Sequence, residues 1–161
     1  MARNVFYSFH YKPDITRVMT VRNRWVTQGG QMQSQVIDRA QFETVKRQGD
    51  LAVKRWINNQ MNGTTVTVVL IGAETLNRPY VQYEIQKSLE RGNGIIGVRI
   101  HNIRDLNGYV SNPGNVMTPI AVNGYYRSFY ELADGIYDYV TDNGYNNLGL
   151  WVENSARLHG K

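Results

Sequence analysis

The chain has 161 residues, no cysteine and a formal net charge of +5. This length suits one domain, and we expect residues 1–161 to form it, with a core over 3–140 and a helical extension over about 145–158. The lack of cysteine excludes disulfides, thiolate nucleophiles and cysteine-ligated metals. Because neither a leader pattern nor a long apolar segment is visible, we expect a cytoplasmic protein with no membrane contact.

The positive charge is concentrated in the first part of the chain. Residues 1–60 contain ten Lys or Arg against four acids, whereas residues 61–161 contain eight against nine. A basic surface can attract nucleic acid or a phosphate-rich small molecule. The basic residues do not form a dense run with interleaved aromatics, so the pattern argues against nucleic acid. A solvated surface that maintains solubility is the simpler interpretation.

The first half of the chain alternates apolar runs with helical patterns. Asp14 stands where a helix cap is expected, just after a proline and before the first helical apolar residues. The patterns predict a buried strand over 5–9, a helix over 14–25, a polar loop over 27–35 and a short strand at 36–37. They also predict one amphipathic helix of about five turns, with apolar positions from Phe42 to Trp56 and an end at Asn62-Gly63.

The second half contains the clearest strand, at 65–71, where nearly every residue is β-branched or aliphatic. Such a run implies burial on both faces, as in a central strand of a parallel sheet. The other predicted elements are a helix over 79–91, a strand over 95–100, a short strand at 120–122 and helices over 130–140 and 148–158. The loop predicted over 101–118 is too long for a mere connection, which favours a functional role. The order predicts an α/β fold with a doubly wound, mostly parallel sheet of about five strands and helices on both faces.

In sheets of this kind, ligands bind beyond the carboxyl ends of the strands, where the strand order reverses. That edge would contain residues 8–10, residues 72–74 and the start of the 79–91 helix. The sequence has no phosphate-binding G-x-x-x-x-G-K-[ST], no G-x-G-x-x-G after the first strand and no G-x-S-x-G. The three histidines lack the spacing of metal ligands, so no metal site is predicted.

One acid remains as a candidate reactive group at that edge. Tyr80 and Glu84 are four residues apart and therefore share one face of the 79–91 helix. This places an aromatic ring beside a carboxylate. A simpler alternative is a surface acid that pairs with Lys87 or Ser88, since glutamates in helices are usually solvated.

Four segments resemble the TIR-like domains of bacterial Thoeris antiphage defence. They are Val5–Tyr11 (VFYSFHY), Val69–Ala73 (VLIGA), Asn77–Ile85 (NRPYVQYEI) and Gly94–Val98 (GIIGV). The resemblance extends over most of residues 3–100, and the first and third segments together are fairly specific. It implies the flavodoxin-like, doubly wound fold of the TIR superfamily.

The resemblance also implies roles for individual residues. In the enzymatic members a segment of the form aromatic-x-x-x-Glu supplies the catalytic acid, and here Glu84 takes that place with Tyr80 as the aromatic residue. Ser8, Phe9 and His10 match the end of the first strand, where the family contacts the nicotinamide and its ribose. We therefore expect Glu84 to be catalytic and Ser8, Phe9, His10 and Tyr80 to bind substrate.

The implied reaction is cleavage of NAD⁺, with nicotinamide release and formation of a cyclic ADP-ribose isomer. NAD⁺ is then a substrate, and we expect no cofactor and no metal. The resemblance further implies a phage-derived trigger, a separate effector activated by the diffusible product, and self-association through the 27–37 loop. Two alternatives remain open from the residues alone, a non-catalytic TIR-like module for protein assembly and a nucleic-acid or nucleotide-binding module.

Overall fold

The computed structural model describes residues 3–27, 31–34 and 39–161. Its strands are β1 (Asn4–Ser8), β2 (Gln31–Ser34), β3 (Val66–Ile71), β4 (Gly94–Arg99), β5 (Pro119–Val122), β6 (Tyr125–Ser128) and β7 (Gly135–Asp138). Its helices are α1 (Tyr11–Thr27), α2 (Arg39–Arg47), α3 (Asp50–Met61), α4 (Pro79–Glu90), α5 (Phe129–Leu132) and α6 (Gly144–Leu158), with a 3₁₀ turn at Thr75–Asn77.

Five strands form one parallel sheet in the order β2-β1-β3-β4-β7, and β5 and β6 form a separate antiparallel hairpin. The predicted α/β fold with a five-stranded parallel sheet is thus confirmed. The chain moves outward from β1 to β2 and then crosses to the other side of β1 to form β3. The strand order therefore reverses between β1 and β3, and the crevice for a ligand is expected at the carboxyl ends of these two strands.

Helices cover the two faces of the sheet, and alternate residues of each strand point to opposite faces. On one face, α1 and α6 pack against Tyr7 and Val68. On the other, α3 packs against Phe6, while α4 and α5 pack against Val69 and Ile71. All six residues of β3 are buried, as the prediction of a central strand requires. Helix α6, predicted as an extension, contributes side chains to the same hydrophobic core as the sheet.

The prediction of a loop over 27–35 is wrong in part, because β2 occupies Gln31–Ser34. Its sequence, QMQS, has no β-branched residue, so local propensity does not indicate a strand. It becomes one by parallel pairing with β1, where Asn4 lies opposite Gln31 and Tyr7 opposite Ser34. The strand predicted at 36–37 lies outside the described residues.

The single helix predicted from Phe42 to Asn62-Gly63 is two helices, α2 and α3. They are separated at Gly49, whose φ of 105° is a conformation that only glycine adopts easily. The apolar spacing continues across this break, which is why it resembled one helix. The prediction that Asp14 caps the helix after β1 is also wrong. Helix α1 already begins at Tyr11, and Asp14 lies inside its first turn.

The prediction of a helix over 130–140 is wrong as well. Helix α5 ends at Leu132, and Gly135–Asp138 forms β7, the last strand of the main sheet. Pairing with β4 again decides the conformation, with Val98 opposite Tyr137. The predicted 120–122 strand exists, but it pairs with β6 through a tight turn at 123–124, where both residues have positive φ.

The 101–118 segment has turns but no helix or strand, as predicted. Within the described ranges, no helix combines the length and the apolar character needed to cross a lipid bilayer.

Close packing of α6 on β4 depends on a glycine. A Cβ on Gly94 would overlap the hydroxyl of Ser155, whereas a Cβ on Gly149, within α6, would meet no atom within 4 Å. We expect Gly94→Ala to lower the free energy of unfolding by about 1–3 kcal/mol through overpacking. Gly149→Ala is the matched control and should raise it by about 0.5–1 kcal/mol, because alanine favours a helix. Urea denaturation of both variants measures the difference, and equal effects would contradict this packing.

Candidate active site

Glu84 lies on α4 with its side chain fully buried against the sheet. The hydroxyl of Ser8, at the carboxyl end of β1, donates a hydrogen bond of 2.7 Å to Oε1 of Glu84. Ser8 is also fully buried. The alternative of a solvated surface acid is therefore wrong; Lys87 pairs with Glu90 instead, at 2.8 Å. The structure brings the predicted catalytic acid and the end of the first strand into direct contact.

A strip of buried hydroxyl groups continues from this contact along the interface between α4 and the sheet. Ser88 donates to the backbone carbonyl of Glu84 at 2.7 Å, and its Oγ lies 2.5 Å from Oγ1 of Thr67 on β3. Val81 and Ile85 form the apolar part of the same interface. Because a buried polar group is costly without its partner, the Ser88–Thr67 and Ser8–Glu84 pairs fix the rotation of α4 about its axis. They therefore fix where Glu84 points.

Tyr80 occupies the first turn of α4, on the side facing α3. It is half-buried, packs against Phe6 and Val53, and donates a hydrogen bond of 3.1 Å from its hydroxyl to Oδ1 of Asp50. Burial, followed by the Asp50 carboxylate, raises the pKa of the Tyr80 hydroxyl, which stays protonated at neutral pH. Tyr80 therefore ties α4 to α3, on the side of the sheet where Ser8 meets Glu84.

Phe9 follows Ser8 and points to the opposite side of the strand. Its ring is 2% exposed and belongs to the hydrophobic core with Val18 and Val21 of α1. Of the two rings proposed for substrate contact, Tyr80 is thus the one on the side of Glu84. Substrate contact by either ring stays a prediction.

His10 lies between β1 and α1 and is half-buried. Its Nδ1 atom is enclosed and has no hydrogen-bond partner among the described residues. Burial, and next the cation of Arg78, lowers the pKa of His10, while Glu74 opposes this shift. His10 is therefore neutral at pH 7 and lies within electrostatic reach of Arg78, the residue before α4. The sequence analysis missed Arg78, although its position next to Pro79 marks the start of this helix.

A second buried carboxyl group, Asp14, lies at the same end of the sheet. It is 2% exposed, and Oγ1 of Thr75 donates to its Oδ2 at 3.4 Å while accepting from the backbone N–H of Gly72 at 2.8 Å. A Cβ on Gly72 would overlap the Asp14 carboxylate, so only glycine allows this approach. Burial raises the pKa of Asp14 to about 6, although Arg17 and Thr75 act in the opposite direction. The sequence analysis treated Asp14 only as a helix cap.

The 101–118 loop is fastened over this end of the sheet. Arg17, which is 4% exposed, donates to the backbone carbonyls of Ile103 at 2.7 Å and Tyr109 at 2.9 Å. Arg99 donates to the carbonyl of Gly114 at 3.0 Å. These hydrogen bonds hold the loop beside the predicted crevice. The functional role predicted for the loop stays a prediction.

The site is closed in this structure, because Glu84 and Ser8 have no exposed surface. A cavity of about 280 Å³ does adjoin α4, but Gln86 and Glu90 line it on the helix face that points away from Glu84. Among the described residues, no three His, Asp or Glu side chains gather in a way that could hold a metal ion. Contact between a substrate and Glu84 therefore requires a neighbouring element to move.

The sheet order, the switch point between β1 and β3, and an enclosed glutamate on the helix after β3 define a TIR-like domain. Comparison of the sequence with known proteins specifies it further. The family profile described as "Thoeris protein ThsB, TIR-like domain" matches residues 6–105. The chain is also 36% identical to "Putative cyclic ADP-D-ribose synthase ThsB1" of Bacillus cereus (strain MSX-D12), over 94% of this chain and 100% of that protein. The chain belongs to the ThsB family of TIR-like Thoeris proteins, as its motifs predicted.

The raised pKa of Asp14 leads to a prediction about stability. A carboxyl group that is protonated more easily in the folded state contributes most stability below pH 3.8 and loses that contribution as the pH rises through about 6. Between low and high pH, the contribution of this carboxyl group to the free energy of unfolding changes by about 3 kcal/mol. Asp14→Asn keeps the shape without the charge, so we expect it to raise the free energy of unfolding by about 1–3 kcal/mol at pH 7.5 and to change it little at pH 4.

Urea denaturation of wild type and variant at both pH values tests this expectation. Glu131→Gln, which removes an exposed carboxylate on α5, is the matched control and should have little effect at either pH. A less stable Asp14→Asn protein at pH 7.5 would contradict the buried-charge argument.

Proposed function

We propose that this protein cleaves NAD⁺, releases nicotinamide and closes the remaining ADP-ribose into a cyclic isomer that acts as a second messenger in antiphage defence. The observation that carries the proposal is the buried contact between Ser8 and Glu84 at the switch point of the sheet. The name of the 36% identical relative, a cyclic ADP-D-ribose synthase, supports the same reaction. Together they favour an enzyme over an assembly module without activity.

One carboxylate suffices for the bond cleavage. The bond between the ribose anomeric carbon and the nicotinamide nitrogen breaks, and its electron pair leaves with nicotinamide, which changes from a cation to a neutral molecule. No acid has to protonate the leaving group, unlike in ordinary glycosidases with two carboxylates. The positive charge that develops on the ribose is stabilised by Glu84, which also accepts hydrogen bonds from the ribose hydroxyls. The reaction as proposed needs neither a metal nor a cofactor.

Ser8 has a supporting role in this mechanism. By donating to Oε1, its hydroxyl holds the Glu84 carboxylate in one orientation. His10 and Tyr80 lie at the same edge, beside the start of α4, and are the proposed contacts for the nicotinamide-ribose part of the substrate. Phe9 packs in the hydrophobic core on the opposite side of β1 from Glu84 and supports the site from there.

Cyclisation requires that another group of the same ligand, rather than water, captures the ribose cation. An enclosed site favours this outcome because it excludes water from the reacting carbon. The closure seen around Glu84 fits such a site. It also fits an enzyme that is idle until a phage-derived trigger opens it, and whose diffusible product then activates a separate effector.

Self-association through the 27–37 loop stays part of the proposal. Thr27 ends α1, 31–34 form β2, and the remaining residues of that loop lie outside the described ranges. The geometry of a contact between subunits is therefore left to experiment.

Removing the charge of the catalytic carboxylate tests the proposed function. We expect Glu84→Gln to lower nicotinamide release by at least about a hundredfold, because the amide cannot stabilise a developing cation. Glu90→Gln is the matched control: it makes the same change on the same helix, at an exposed residue, and should keep the wild-type rate. Mass spectrometry of small molecules from phage-challenged cells measures both nicotinamide and the cyclic product.

Two results would contradict the proposal. Wild-type rates from Glu84→Gln would mean that another group catalyses the reaction. Unchanged NAD⁺ and no cyclic product in challenged wild-type cells would instead favour the non-catalytic assembly module.

A further inference from the structure

The β5–β6 hairpin has an open edge. In the part of the chain that the structure describes, no strand pairs with the outer side of β6. The first three residues of β6 are exposed, and Tyr125 and Tyr126 are 77% and 76% exposed. Its partner β5 is anchored, because Ile120 and Val122 pack in the same hydrophobic cluster as α4. Strand β6 is therefore the accessible half of the hairpin.

The backbone of β6 is directed alternately toward β5 and toward the open side. Phe129, directly after β6, donates a backbone hydrogen bond of 3.0 Å to the carbonyl of Thr118. Hydrogen-bonded and non-hydrogen-bonded pairs alternate along an antiparallel ladder, so the backbone groups of Arg127 and Tyr125 also face β5. The backbone N–H and C=O of Tyr126, between them, therefore point to the open side.

The devices that usually protect a free edge are weak on β6. Such edges are commonly covered by proline, by bulges or by charged side chains. Strand β5 begins with Pro119, which has no N–H, whereas β6 contains no proline and keeps a continuous register with β5. The one charge of β6, on Arg127, forms an exposed ion pair with Glu131 at 3.5 Å, which contributes little. A further strand can therefore pair with this edge.

The sequence of β6 is complementary to a second copy of itself. Two antiparallel registers match the outward backbone groups and pair three residues of each strand, one centred on Tyr126 and one on Arg127. The register centred on Arg127 places two guanidinium groups directly opposite each other, which is destabilising. The register centred on Tyr126 places Tyr125 of each copy opposite Arg127 of the other, on the same face of the joined sheet. Arginine and an aromatic ring attract each other in such a pair.

We propose that this protein forms a two-fold dimer through β6, in which the two strands pair antiparallel about Tyr126 and the two hairpins become one four-stranded sheet. Each Tyr126 exchanges two backbone hydrogen bonds with its copy. This surface is distinct from the 27–37 loop, and the proposal does not depend on NAD⁺ cleavage. A contact of one short strand is small, so the dimer is a weak one that forms with rising concentration.

Sedimentation of the purified full-length protein between about 1 and 500 μM tests the proposal. We expect the mean mass of the wild type to rise from 18.5 kDa toward twice that value. Tyr126→Lys places two like charges opposite each other and should raise the dimer dissociation constant at least about tenfold. Tyr109→Lys is the matched control, because it makes the same change at a tyrosine that is 70% exposed in the 101–118 loop. It should leave the dissociation constant unchanged, and thermal unfolding of both variants should match the wild type.

Introduced cysteines report on the register, since the chain has none of its own. Tyr126→Cys faces its own copy in a hydrogen-bonded pair, where Cα atoms are about 5.5 Å apart, within the range of a disulfide. Mild oxidation should therefore give covalent dimers. Tyr125→Cys and Arg127→Cys should cross-link to each other when mixed, and more than either does alone. Tyr109→Cys should remain mostly monomeric.

Three results would overturn this inference. A wild type that is monomeric over the whole concentration range would leave the edge to a strand of another protein. A dimer that Tyr126→Lys weakens no more than Tyr109→Lys does would associate through another surface, such as the 27–37 loop. Stronger cross-linking of Tyr125→Cys alone than of Tyr126→Cys would contradict the register. Nicotinamide release enters none of these measurements, so the proposed function is tested separately.

Discussion

The hydrogen bond between Ser8 and Glu84 is the constraint on which the rest of the site depends. A carboxyl group without partners is costly to bury, and the Ser8 hydroxyl supplies a partner for Glu84. That requirement places a serine at the end of β1 and continues in the Ser88–Thr67 pair at the same interface. An apolar interface between α4 and the sheet would be simpler and at least as stable. The polar strip therefore indicates function rather than folding.

Different kinds of contact hold the two faces of the sheet and its carboxyl-terminal edge. Large apolar clusters hold the helices to both faces, whereas polar contacts hold the carboxyl-terminal edge. Hydrogen bonds contribute little net stability each, about 1 kcal/mol, and segments held mainly by them open at lower free energy than a core. Opening of the site can thus occur at the edge while the sheet and its apolar layers stay intact. This reconciles a fully enclosed Glu84 with the catalytic role proposed for it.

Local patterns predicted the elements whose conformation is decided locally, and these include the central strand β3 and helix α4 with its initial Pro79. They failed where a distant partner decides, as in β2 and β7, which become strands by pairing with β1 and β4. The same division applies to the site. The spacing of Tyr80 and Glu84, together with the family motifs, predicted the acid, whereas Asp14 and Arg17 act through partners 61 to 92 residues away. No local pattern contains that information.

The enclosing contacts also differ between the two sides of α4. Toward α1, the hydrogen bonds made by Asp14 and Arg17 are buried. Toward α3, the ties are hydrogen bonds from Tyr80 and Tyr83 to polar side chains that water reaches. Water can replace those hydrogen-bond partners, whereas the packing of Tyr80 and Tyr83 against the apolar cluster that includes Val53 has no such substitute. The two sides of α4 are therefore held by different contacts: buried hydrogen bonds toward α1, and water-accessible hydrogen bonds with apolar packing toward α3.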